Sequence, residues 1–283
     1  MITDYKILDN NFIRKIEEFT NGELFQLFYL FTGVNMVNYG SLKLKNAFIL
    51  DDGKSEIIGV LTESSFYLYG KNWNKSTLEK ITKKINFKSF PEGFFFLGNE
   101  RFISDLFDFA KIKLEVFKNR SFYKLSKQEN SGFENKNEID SPSINETIEI
   151  THLYQQYYVE EYNGQNNKEF NETKEKVMEL IKEENIVVSR NQDEITGFCT
   201  FMHKETDSPM IGTVFVSSEF RNNGIGKSLI DFVSKDLLKS SDFVYLMTTK
   251  ENIESNKMVE SVGYKKVYDH TSRIITVGNT VYN

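Results

Sequence analysis

Apolar residues recur near every 3.6 positions between Phe12 and Phe31, with Phe12, Ile16, Phe19, Leu24, Leu27 and Phe28 on one face, which predicts a helix. The period then changes. Residues 47–52 (AFILDD) and 57–70 (IIGVLTESSFYLYG) alternate or run apolar and β-branched, predicting strands on either side of the turn Asp51-Asp52-Gly53. A helix over 76–85, a strand over 93–97, a helix over 101–112 and a strand over 114–125 complete the first half. Its order is helix, strand pair, helix, strand, helix, strand.

Residues 127–145 (KQENSGFENKNEIDSPSIN) are polar and turn-prone, with one Phe and two Ile to anchor them, and are expected to form a linker. This divides the chain into domains over 1–126 and 146–283, each of ordinary domain length. The second half has a comparable order, although no residue-level repeat is visible. Helices are expected over 147–162 and 171–183, then the strands NIVVSR and ITGFCTFMHK as a hairpin, and MIGTVFV from Met210 as the next strand. After a glycine-containing loop, residues 227–239 form an amphipathic helix whose Leu229, Val233 and Leu237 fall four apart. A strand at 242–250, a short helix at 255–262 closed by Gly263, and a strand pair over 264–277 finish the chain.

The loop Arg221-Asn222-Asn223-Gly224-Ile225-Gly226 lies between a Val-ending strand and an amphipathic helix. A helix start leaves four amide N–H groups unpaired and carries about half a positive charge, so it attracts a pyrophosphate. Gly224 and Gly226 allow the backbone a close approach or a positive φ. A Walker loop needs Gly five residues before its Gly-Lys-Ser, but position 221 is Arg before Gly226-Lys227-Ser228. A dinucleotide fingerprint needs a third small residue at 229, where Leu stands.

The remaining pattern, Arg or Gln, two residues, Gly, one residue, Gly or Ala, resembles the coenzyme A loop of the GNAT N-acetyltransferase superfamily. The resemblance covers about residues 147–277, and 252–264 (NIESNKMVESVGY) looks like the family's second motif. It implies an α/β (α+β) fold, a mixed, mostly antiparallel central sheet flanked by helices. The first half has the element order of a degenerate copy, so two GNAT-like domains are expected.

By that resemblance, the main chain of Val214, Phe215 and Val216 pairs with the pantetheine arm. The amides of Arg221, Asn222, Asn223, Gly224, Ile225, Gly226 and Lys227 hold the pyrophosphate, Ser228 adds a hydroxyl, and the side chain of Asn252 faces the coenzyme. The implied reaction moves an acetyl group from acetyl-coenzyme A to a primary amine of a small-molecule or peptide acceptor, by direct attack in a ternary complex and without a metal. One departure matters. The family often places a Tyr four residues before the second motif's Gly, as acid for the leaving thiolate, and here that residue is Val259. A thiol is a fair leaving group near neutrality, and Tyr264 and Tyr268 are substitutes to consider, against their reading as ordinary strand aromatics. For the base, which takes the proton of the attacking amine, Glu160 and Glu161 in the cluster YYVEEY are the candidates, against their reading as a solvated face.

Bulk properties narrow the picture further. A net charge of −6 on 283 residues supplies no positive field for nucleic-acid backbones, and a cationic substrate suits it better. Cys199 is the only cysteine, which excludes an intramolecular disulfide and any multi-cysteine metal site. His152, His203 and His270 are too scattered for a catalytic or metal set. No apolar run is long enough to span a membrane, and the first residues do not read as a signal peptide, so a cytoplasmic location is expected. The first half has no second glycine near Gly98, so it is expected to have lost coenzyme binding and to shape the acceptor cleft or a homodimer contact. Two other functions compete with acetyl transfer: a non-catalytic acyl-coenzyme A sensor or structural module, and nucleotide hydrolysis through Gly226-Lys227-Ser228.

Overall fold

A computed structural model describes residues 1–20, 24–129, 137–162, 164, 167–202 and 208–276. The chain divides into two units that do not follow sequence order. Unit 1 comprises Met1–Phe122, Thr249–Glu251 and Tyr268–Asn283, and unit 2 comprises Tyr123–Thr248 and Asn252–Val267.

The first half runs β1 (Ile2–Tyr5), α1 (Asn10–Thr20), α2 (Phe28–Asn38), β2 (Leu44–Asp51), β3 (Glu56–Thr62), β4 (Ser65–Lys71), α3 (Lys75–Lys84), β5 (Phe95–Asn99), α4 (Glu100–Ala110) and β6 (Glu115–Ser126). The expected single helix over 12–31 is therefore two helices with a 3-10 turn at Leu24–Leu27 between them. In the last turn of the first, the Thr20 hydroxyl donates to the Glu17 carbonyl (3.1 Å). The expected strand over 57–70 is the hairpin β3–β4, in which Thr62 Oγ1 accepts from the Ser65 N–H (3.1 Å) and closes the turn. In unit 1 the order β1-β2-β3-β4 is antiparallel throughout, and β4 pairs with β5 in parallel.

The second half runs β7 (Glu138–Asp140), α5 (Thr147–Tyr162), α6 (Phe170–Lys182), β8 (Ile186–Asn191), β9 (Glu194–Met202), β10 (Met210–Val216), α7 (Ile225–Leu237), β11 (Phe243–Thr249), α8 (Ile253–Ser261) and β12 (Lys265–Ile274). Strands β7, β8, β9 and β10 are antiparallel neighbours, and β11 lies parallel to β10. The segment expected as a linker carries β7, which pairs with β8 through Glu138↔Arg190 to Asp140↔Val188, while residues 130–136 lie outside the described part. The last segment, expected as two strands, is one. From Tyr268 it belongs to unit 1, where His270–Ile274 pair antiparallel with Asn99–Phe95 of β5.

Each unit is thus a mixed, mostly antiparallel sheet flanked by helices. Apolar cores form on both faces. In unit 2, α7 buries Leu229, Ile230, Val233 and Leu237 with Val244 and Leu246 of β11, and each fully buried aliphatic side chain contributes about 1.5–3 kcal/mol. On the opposite face, α5 and α6 bury Ile150, Tyr154 and Val177 against Val188, Phe198 and Phe215. Cys199 lies in the α7-side core, its thiol pushed up by burial, as expected of a small apolar residue. Among the described residues, no helix is long and apolar enough to cross a membrane.

Candidate active-site cleft

The site begins with an interruption in the sheet of unit 2. Strands β10 and β11 pair only at Met210↔Tyr245 and Ile211↔Leu246. Beyond that point β10 also bulges against β9, its register shifting between Ile211 and Val214, and the bulged Thr213 N–H donates to Thr200 Oγ1 (2.8 Å). The main chain of Val214, Phe215 and Val216 is therefore paired with β9 on one side and lines an open cleft on the other. Side chains alternate across it: Val214 and Val216 pack toward α7, and Phe215 packs toward α5.

At the end of β10 a 3-10 turn, Ser218–Phe220, leads into the glycine loop. Asn222 has φ +66°, which Asn tolerates better than most residues, and Gly224 has φ +76° as the N-cap of α7. No side chain caps this helix. Its first amides, from Ile225 to Lys227, face the cleft that Asn222, Gly224, Gly226 and Lys227 line. A Cβ at Gly226 would stand 3.0 Å from Met258 Sδ of α8, a tight approach that the flexible Met side chain would have to give way to. Asn223 is exposed and outside the cleft lining, its Nδ2 donating back to the loop carbonyls of Phe220 (3.2 Å) and Arg221 (3.3 Å).

Arg221 does more than supply an amide. Its Nη2 donates to both carboxylate oxygens of Glu160 on α5 (2.8 Å each), and its Nε donates to the Val216 carbonyl (3.0 Å). The pair is 41% and 49% exposed, so it adds about 0–1 kcal/mol of stability while holding α5 beside the loop. Glu160 and Glu161 both line the cleft, with Tyr157 beside them and Glu254 on the α8 wall. Asn252 also lines it, and its side chain accepts from the Ser255 N–H (3.0 Å) as the N-cap of α8.

Ser228, Tyr264 and Tyr268 also fall outside this cleft. Ser228 is fully buried and its Oγ accepts from Asn137 Nδ2 (2.7 Å), so the helical turn aims it into the interior rather than at the loop. That also removes the hydroxyl a nucleotide-hydrolysing Gly-Lys-Ser would use for a metal. Tyr264 is buried in the α7-side core, its hydroxyl 2.8 Å from Ser234 Oγ, and burial pushes its pKa up. It is not within the cleft. Val259 is likewise a core residue, and Tyr268 belongs to unit 1. Of the histidines, His152 is on α5, His270 is buried in unit 1, and His203 lies outside the described residues. Among the described residues no group of His, Cys, Asp and Glu is placed to hold a metal ion.

Tyr157, Phe220, Glu254, Ser255 and Met258 also line the cleft, although sequence reasoning assigns them no individual role. Tyr157 lies in the aromatic-acidic cluster YYVEEY, and Glu254, Ser255 and Met258 lie within the second motif, while Phe220 bears no pattern that marks it. The cleft has a volume of about 670 Å³. It suits an elongated ligand with an anionic group at the amides of α7 and an amide-bearing arm along the open edge of β10.

Residues 147–264 match the model of the acetyltransferase (GNAT) family. Similar folds extend over nearly the whole chain. A GNAT-family acetyltransferase from Colwellia psychrerythraea is 11% identical with a TM-score of 0.55, covering 97% of this chain and 98% of that one. A Drosophila protein is 9% identical with a TM-score of 0.56 over the same shares. A GCN5-related N-acetyltransferase from Sphaerobacter thermophilus is 11% identical with a TM-score of 0.54, covering 81% and 79%. No protein of curated function matches the chain in sequence.

Proposed function

We propose that the protein is a cytoplasmic N-acetyltransferase that moves an acetyl group from acetyl-coenzyme A to the primary amine of a small-molecule or peptide acceptor, in a ternary complex. The observation that carries this reading is the meeting, in one cleft, of an unpaired β10 edge and an uncapped α7 N-terminus. The amides of Gly224 to Lys227 would hold the pyrophosphate, with Arg221 and Lys227 contributing charge, and Val214–Val216 would pair with the pantetheine amides.

In the reaction the amine nitrogen attacks the thioester carbonyl, its N–C bond forms, and the C–S bond breaks with its electron pair passing to sulfur. The amine reaches the site as an ammonium ion and must first lose a proton. Glu160 and Glu161 both line the cleft, and either can take that proton directly or through water. Glu160 would have to leave Arg221 to do so.

A thiol-release assay of the full chain with acetyl-coenzyme A, across polyamines, aminoglycosides, amino acids and peptides, tests the proposal. Turnover on at least one amine is expected. A second reading, a non-catalytic acyl-coenzyme A sensor, is favoured by the core positions of Val259 and Tyr264. Tight binding with no turnover on any acceptor would decide for it.

A further inference from the structure

Acetyl transfer needs a proton for the departing sulfur, and the residues that the sequence offers for it stand elsewhere. Val259 packs in the core at 2% exposure, Tyr264 is buried on Ser234, and Tyr268 belongs to unit 1. Among the described residues that line the cleft, the one phenol is Tyr157.

Tyr157 stands on the α5 wall with its ring edge-on to Phe215 (centroids 6.4 Å apart, planes at 74°). Phe215 lies between Val214 and Val216 on the unpaired edge of β10, so the phenol borders the path along which the thioester arm would run. Its position is fixed by the residue one turn earlier. Tyr154 is 1% exposed and stacks on Phe198 of β9 (4.8 Å, 21°), while its hydroxyl meets Thr213 Oγ1 at 3.2 Å. The Tyr154 ring then braces Tyr157 at right angles (5.8 Å, 87°). Thr213 immediately precedes the open edge, and its own N–H is held by Thr200. The helix is thus tied to the strand where the cleft begins, and the tie carries Tyr157 with it.

We propose, resting on the acetyl-transfer reading, that Tyr157 donates the proton to the leaving thiolate. As the C–S bond breaks and its electron pair passes to sulfur, the Tyr157 O–H proton moves onto that sulfur. The proton shed by the nitrogen after attack then returns to the phenolate, directly or through water, leaving an amide and a free thiol. Ordinary phenol and thiol pKa values lie within about two units of each other, so neither direction of this transfer is strongly uphill.

The test is Tyr157→Phe in the full chain, which keeps the ring that packs on Phe215. Thiol release should fall by about tenfold or more in kcat, within the range of a general acid, while the acetyl-coenzyme A Kd and the acceptor KM stay within about twofold. The alkaline decline of kcat that follows ionisation of the phenol should also vanish, which a purely structural role would not produce. Wild-type kcat in Tyr157→Phe, or a loss matched by an equal rise in Kd, overturns the assignment and leaves acetyl transfer standing. If the wild-type protein binds acetyl-coenzyme A and turns over no acceptor, both fail together.

Discussion

Each unit contains two parallel strands followed by a loop and a helix, and the two differ in what happens beyond the last paired residue. In unit 1, β4 and β5 pair through four positions, Ser65↔Phe95 to Leu68↔Gly98, and the next free amide, that of Gly70, donates to Asn99 Oδ1 (2.7 Å). In unit 2, β10 and β11 pair at two positions and the edge stays open. The helices differ in the same sense. Asn74 caps α3 by accepting the Thr77 N–H (3.2 Å), whereas Gly224 leaves α7 uncapped. Just before that cap, unit 1 carries Trp73, whose Nε1 donates to Asp105 (2.8 Å) and whose ring packs on Phe102 (5.1 Å). Unit 1 uses its own side chains at the strand edge and helix start that in unit 2 border the cleft.

The sharpest way to break this contrast is to block the open end. Gly226→Glu places a carboxylate at the α7 amides and a Cβ 3.0 Å from Met258 Sδ, and is expected to weaken acetyl-coenzyme A binding at least about 100-fold by steric block and like charge. Calorimetry on the variant, with circular dichroism showing it folded, checks this. Unchanged affinity would remove the site.

Acid should separate the units next. Burial, with Arg120 nearby, pushes His270 of unit 1 down from 6.5 to about 3. Between those values the unfolded chain binds a proton that the folded unit refuses, so stability is lost as pH falls from 6.5 toward 3, by up to about 1.4 kcal/mol per unit. Above 6.5 the imidazole is neutral in both states and contributes no slope. Urea titrations against pH should show this loss, flattened in His270→Gln.

A smaller effect tests the filled end. Asn74→Ala removes the α3 cap and should cost about 1 kcal/mol of unit 1 stability while leaving acetyl-coenzyme A affinity unchanged. Affinity that moves with the cap would mean that unit 1 takes part in binding. Smallest of all, Arg221→Gln breaks the half-exposed pair with Glu160 but keeps the loop amides, so stability should change by less than about 1 kcal/mol and Kd by less than about tenfold. A larger loss would show that the guanidinium, rather than the amide, holds the phosphate.

The loop was legible in the sequence because its signals are local. Glycine spacing, a Val-ending strand before it and the four-residue apolar repeat of α7 after it all act within about two dozen residues, and the structure places each as expected. The side-chain assignments fared less evenly. Ser228 and Tyr264 sit next to legible motifs, yet the rotation of α7 and the depth of the core direct both inward. The partner of Arg221 is 61 residues away and that of Ser228 is 91 residues away, distances over which no periodicity carries information. Experiments on residues 1–126 alone would also mislead, because the segment from Tyr268 completes unit 1 by pairing with β5.

The sequence by itself determined most helices and strands of both halves, the glycine spacing of the loop before α7 and the absence of the usual acid at Val259, because propensity, turn chemistry and residue identity are properties of short stretches. Strands β1 and β7, the break between α1 and α2 and the single final strand were not legible in it. Only the tertiary structure decided that β10 and β11 part after two pairs, that Asn99 closes the matching gap in unit 1, and that Tyr157 is the phenol beside the open edge. Those facts depend on strand register and on which helix face meets which strand. Both are settled by packing between residues far apart in the chain.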